Sequence, residues 1–177
     1  MKTFVLISLA LCASLALTQA HAEGRFKARG STTAPDGSTV SGAVTGTQGP
    51  NGGATVGARG VKQNPDGSTT AASGRAVKTP SGGYGARLGQ TNVSADGAVT
   101  HNSGAAATGP RGSGSTQGNF TSDGQGNFNG ARQTNLSNSQ GSYQGSTTAN
   151  KSGGAVTVDH TGTCYNASGQ VVTCPKP

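Results

Sequence analysis

An all-β chain folded as an antiparallel β-meander is what this sequence predicts, and three observations carry the prediction. Turn-like clusters recur at constant spacing, the segments between them are rich in Thr, Val, Ser, Ala and Gly, and helix-forming Leu, Glu and Lys are scarce there. The glycines that close the clusters are Gly37, Gly52, Gly67, Gly82, Gly97 and Gly112, a step of 15 residues. A fixed period of this kind marks a repeated supersecondary unit and not one irregular domain.

The clusters are Pro35-Asp36-Gly37, Pro50-Asn51-Gly52, Pro65-Asp66-Gly67, Pro80-Ser81-Gly82, Ala95-Asp96-Gly97 and Pro110-Arg111-Gly112. Pro presets φ at the first central position, Asp or Asn suits the next, and Gly takes positive φ without steric cost. Asp precedes the glycine at 37, 67 and 97 but not at 52, 82 and 112, so the unit is also legible as a 30-residue double repeat. Thr and Val favour strands between the turns. Alternation places Val40, Gly42, Val44 and Gly46 on one face, and Ala54, Val56, Ala58 and Gly60 likewise. Strand-turn-strand at this spacing gives a meander of about ten short strands. A β-solenoid with two half-units per turn is the second choice.

Composition sets the limits. The chain has 177 residues, 31 of them Gly, with 31% hydrophobic and 4% aromatic residues and no Trp. Lys2 followed by the apolar residues 4–17 and by Ala20-His21-Ala22 forms an export signal with cleavage expected before Glu23. The remaining residues hold eleven Val, two Leu, three Phe and no Ile or Met. So few large side chains argue against a deep apolar pocket and hence against a large enzyme. The same composition is that of chains that stay largely disordered as isolated monomers. No later segment approaches the ~20 apolar residues of a membrane-spanning helix. The organisation expected is a signal at residues 1–22, a Gly/Ser/Thr-rich β-repeat region at 23–150, and a disulfide-closed hairpin at 151–177.

Cys12 leaves with the signal, so Cys164 and Cys174 form an even pair in an exported chain and read as a disulfide. A hairpin turning at Gly169 would set them directly opposite each other. Metal or redox roles lack CxxC spacing and neighbouring histidines.

Catalytic constellations do not emerge. Asp36, Asp66, Asp96 and Asp123 are turn residues, and Asp159-His160 has no nucleophile in a strained elbow beside it. One turn Asp per 30 residues is too sparse for a calcium site, and His101 and His160 stand alone, so no metal or cofactor is expected. Gly112-Ser113-Gly114 and Gly124-Gln125-Gly126 lack the following helix that a phosphate loop needs.

Two function classes remain. The stretch 117–144 mixes Asn, Gln, Gly and Ser with Phe120, Phe128 and Tyr143, a composition prone to β assembly, and an open edge strand invites a second copy. That favours a structural or adhesive repeat protein of the cell surface or matrix. The formal charge of +7 favours instead a periplasmic or secreted monomer holding an anionic envelope polymer, such as acidic polysaccharide or lipopolysaccharide. Arg59, Arg75, Arg87, Arg111 and Arg132 are the candidate contacts. No nucleic-acid-binding fold is visible.

Overall fold

The structure is a computed structural model that describes residues 23–174. The export signal expected at 1–22 lies outside the described residues. Strands β1 (Gly24–Thr33), β2 (Thr39–Gln48), β3 (Ala54–Gln63), β4 (Thr69–Lys78), β5 (Tyr84–Val93) and β6 (Val99–Gly109) begin at even intervals. They are followed by β7 (Gly112–Ser122), β8 (Phe128–Asn138), β9 (Gly141–Ser152), β10 (Ala155–Asn166) and the short β11 (Val171–Val172). All eleven pair antiparallel in chain order within one open sheet. This is the meander. The solenoid alternative fails because no strand meets one beyond its chain neighbours, whereas a solenoid stacks successive turns in parallel.

Turn chemistry explains the regularity. In the first loop Ala34 N–H donates to Ser38 O at 2.8 Å and Gly37 N–H to Ala34 O at 2.9 Å, a type I turn followed by a glycine bulge. Pro35 sits where φ near −65° is wanted, and Gly37 holds φ 80°. The same bond pair recurs at Gly49/Gly53, Asn64/Ser68, Thr79/Gly83, Ser94/Ala98 and Asn166/Gln170. Gly112 departs from its five counterparts. Its turn is only Pro110-Arg111, and Gly112 itself opens β7 with φ 134°.

Among the described residues the prolines fall in the loops and not in the strands, so no ladder donor is lost. The C-terminal hairpin follows the same glycine-after-centre rule, which corrects the expected register. Its centre is Ser168, so Cys164 opposes Val172 and Tyr165 opposes Val171, and Cys174 lies diagonally two residues further on. The Cα atoms of Cys164 and Cys174 are still only 5.3 Å apart, and the disulfide forms.

The sheet is one layer thick. Among the described residues the buried set comprises only Ser38, Gly46, Gly83 and Cys164, and large side chains such as Leu88 (70% exposed) face solvent. Domains ordinarily pack two layers around a core. Here both sheet faces are surfaces.

Candidate functional site

Loop length decides which residues share a face. Each of the first five loops leaves an odd number of residues between paired positions, so pairs such as Arg29↔Ala43, Ala43↔Arg59 and Arg59↔Ser73 join residues of like parity. Through β6, therefore, odd residues lie on one face and even residues on the other. The two-residue turns after β6 and β8 each reverse the parity, as does Gly153-Gly154 after β9.

Followed through these registers, the basic strand residues segregate. Arg25, Lys27, Arg29, Arg59, Arg75, Arg87, Arg132 and Lys151 project from one face. Among the described residues no strand carboxylate shares that face. Asp159 is on the opposite face, with Lys62 and Lys78. Asp36, Asp66, Asp96 and Asp123 sit in loops at one end of the sheet. Every arginine named is solvent-exposed.

Six of these eight cations fall into two adjacent rows across the strands, with Arg25 and Lys151 outside them. One row runs Arg29, Ala43, Arg59, Ser73, Gly89, Ser103, Gly118, Arg132, Thr147, His160. The next contains Lys27, Thr45, Gly57 and then Arg75 directly opposite Arg87. With neighbouring strands ~4.8 Å apart, Arg29 to Arg132 spans about 34 Å. Diagonal neighbours such as Arg59 and Arg75 are ~7–8 Å apart, within reach of long side chains. Glycine and small residues between them leave the guanidinium groups free to reach outward. Arg132 is anchored, its Nε donating to Thr116 Oγ1 at 3.0 Å.

Beside Arg132 the same face carries Phe120, Phe128, Leu136 and Tyr143. The Phe120 and Phe128 rings stack at 5.7 Å between centroids with a 33° tilt. Tyr143 lies over Gly145 and Gly162, where a side chain would collide with its ring, and its hydroxyl is 3.3 Å from His160 Nε2. An aromatic platform thus adjoins a guanidinium row.

Of the candidate arginines, Arg59, Arg75, Arg87 and Arg132 meet on this face, whereas Arg111 occupies the β6–β7 turn. Arg25, Lys27, Arg29 and Lys151 were not singled out from the sequence. Arg25-Lys27-Arg29 carried a usable signal, an alternation of three cations at period two.

The opposite face divides in half. On β1–β5 it presents Phe26, Val44, Val56, Ala58, Ala76, Tyr84 and Leu88, and from β6 onward Asn, Gln, Ser and Thr, with Asn102 opposite Asn119 and Gln117 opposite Gln133. An open concavity of about 1230 Å³ runs across nine strands, with Phe26, Val56, Ala76, Tyr84, Ala86 and Ala106 among its lining residues. It is a surface concavity and not an enclosed pocket.

The turn carboxylates are explained locally. The Ser38 hydroxyl and amide hold the Asp36 carboxyl below its ordinary value, Ser68 does so for Asp66, and Ser94 with the Ala98 amide for Asp96. For Asp123 the Asn127 side chain leads, with Gln125 N–H donating at 2.7 Å. Each carboxylate closes its own loop. Among the described residues no group of three or more His, Cys, Asp or Glu is placed to hold a metal ion. No helix there is long and apolar enough to cross a membrane.

Fold and face together define a class: a single-layer β-meander with a one-sided guanidinium surface. No protein-family model, curated protein or solved structure matches the chain.

Proposed function

We propose that the protein is an exported, non-enzymatic adhesive module of the cell surface or extracellular matrix, whose cationic face holds an anionic polymer. The carrying observation is the one-sided placement of eight strand cations with no strand carboxylate among them. Solubility alone needs charge of both signs dispersed over a surface. Segregation of every strand arginine to one face instead raises a potential that concentrates anionic groups along one plane. Guanidinium groups pair bidentately with sulfate, carboxylate or phosphate. The row length suits an extended polymer better than a small anion, and acidic polysaccharide and lipopolysaccharide carry that chemistry. The disulfide is compatible with an exported protein.

The test titrates residues 23–177 with heparin, lipopolysaccharide and neutral dextran by calorimetry, between about 50 and about 500 mM salt. The expected result is binding of both anionic polymers, no binding of dextran, and an affinity that falls linearly with salt on logarithmic axes. An Arg75→Ala/Arg87→Ala variant should weaken heparin binding at least about tenfold. Lys62→Ala/Lys78→Ala removes the same charge from the other face and should change little. Equal losses in the two variants would mean that net charge alone attracts the polymer.

A second reading, structural self-assembly, draws on a different observation: the uncovered faces of the sheet.

A further inference from the structure

We infer that the apolar half of the non-cationic face is covered by the same half of a second copy, two sheets stacking face to face. A lone sheet layer leaves its apolar side chains in water, and sheets gain independent stability by packing such a face. On β1–β5 that face carries Phe26 (49% exposed), Tyr84 (56%) and Leu88 (70%) among Val and Ala.

Charge selects the face and the partner. Two cationic faces brought together would oppose eight like charges each, whereas the apolar half holds only Lys62 and Lys78, near opposite ends of β3 and β4. Lysines at a rim keep their ammonium groups in water. Charge also disfavours addition at the β1 edge, which bears Arg25, Lys27 and Arg29; charged edge strands resist pairing.

Area and relief agree. Five strands of ten residues cover roughly 24 Å by 33 Å, or about 800 Å² per copy, the share each partner contributes to a standard interface. Gly30, Gly42 and Gly60 form a row of depressions beside the row of Val44, Ala58 and Leu88, so the surface has both projections and holes. Small residues let the layers approach closely. The resulting pair carries guanidinium groups on both outer surfaces.

Sedimentation equilibrium of residues 23–177 at high salt tests the pairing. The expected species is a dimer, and Leu88→Lys should raise its dissociation constant at least about tenfold with strand circular dichroism retained. Ser73→Lys, on the cationic face, should leave it unchanged. A folded monomer at all concentrations, unlimited growth into fibres, or a dimer indifferent to Leu88→Lys would each overturn the inference. A spin label on Leu88→Cys gives a reading independent of the lysine variant's folding. It should be shielded from a dissolved relaxant, and accessibility equal to that of a label on Ser73→Cys would refute the stack. Heparin binding is measured separately, so failure here leaves the polymer reading standing.

Discussion

Arg75 and Arg87 face each other across β4 and β5 on a surface with no strand carboxylate to neutralise them. At ~6 Å in water their repulsion is about 0.7 kcal/mol, within the ~0.2–1 kcal/mol by which directly opposed side chains stabilise or destabilise a sheet. Replacing Arg87 by Gln keeps much of the stem and removes the charge. In a chain of this size the variant should therefore melt about 1–3 °C higher at low salt. Near 1 M salt, where the screening length shrinks to about 3 Å, the gain should vanish. A bound polyanion reverses the order. A ligand at about a hundred times its dissociation constant stabilises by about 2.7 kcal/mol, and the wild type, holding both guanidinium groups, should gain more than the variant. Thermal unfolding followed by circular dichroism, with and without heparin at two salt concentrations, reads all four quantities. A variant that melts lower at low salt, or a gain that persists at high salt, would show that the pair is not repulsive. A rise with heparin equal in both proteins would show that Arg87 does not touch the polymer.

Three further outcomes follow from the loops and the staple. Because Asp36, Asp66, Asp96 and Asp123 have lowered values in the folded chain, their contribution is full above the unfolded carboxylate value and is lost as pH falls through the folded one. The melting temperature should accordingly drop below about pH 4, and an Asp36→Asn/Asp66→Asn/Asp96→Asn variant should flatten that drop. Cys174→Ser opens a short loop worth about 3 kcal/mol in the chain-entropy model; hydrogen exchange should accelerate at Val171 and Val172 while the amides of β2–β8 keep their protection. Gly67 has φ 85° and open space around it, so Gly67→Ala isolates the left-handed cost, about 1–2 kcal/mol. Gly104 lies in a strand with ordinary room for a methyl group, and Gly104→Ala should instead stabilise by ~0.4–1 kcal/mol in denaturant unfolding.

The meander was legible because its punctuation is local. Proline at the second loop position and glycine at the fourth dictate a turn wherever they occur, and alternation correctly placed Val40, Gly42, Val44 and Gly46 on one face. Less legible was the exact centre of each loop, since glycine in a type I turn with a bulge follows the centre by one residue. That offset moved Cys164 from Cys174 to Val172. The arginine face was hidden by the same uncertainty. Parity is inherited across an odd-length loop and reversed across an even one, so Arg59, Arg75 and Arg87 are plainly co-facial only once the first loops are counted correctly. Arg132 joins them through one reversal at Pro110-Arg111. Arg111, inside that short turn, drops out of the surface it resembled by residue type.

That inheritance also explains why a sequence of such low complexity can make two unlike surfaces. With five-residue loops a period of 15 keeps every odd position of six strands on one side, so one basic choice per strand accumulates as a coherent field. Had the loops been even, Arg75 would project from the face opposite to both Arg59 and Arg87. The reversal at Pro110-Arg111 marks a second change. Before it, the large apolar groups Phe26, Tyr84 and Leu88 lie opposite the cations; after it, Phe120, Phe128, Leu136 and Tyr143 share the cationic side. A single continuous covering layer would therefore meet apolar surface along only half its length. The sheet suits two partners of different chemistry: a copy of itself over β1–β5 on one side, and on the other a polymer that meets charge first and aromatic rings further along.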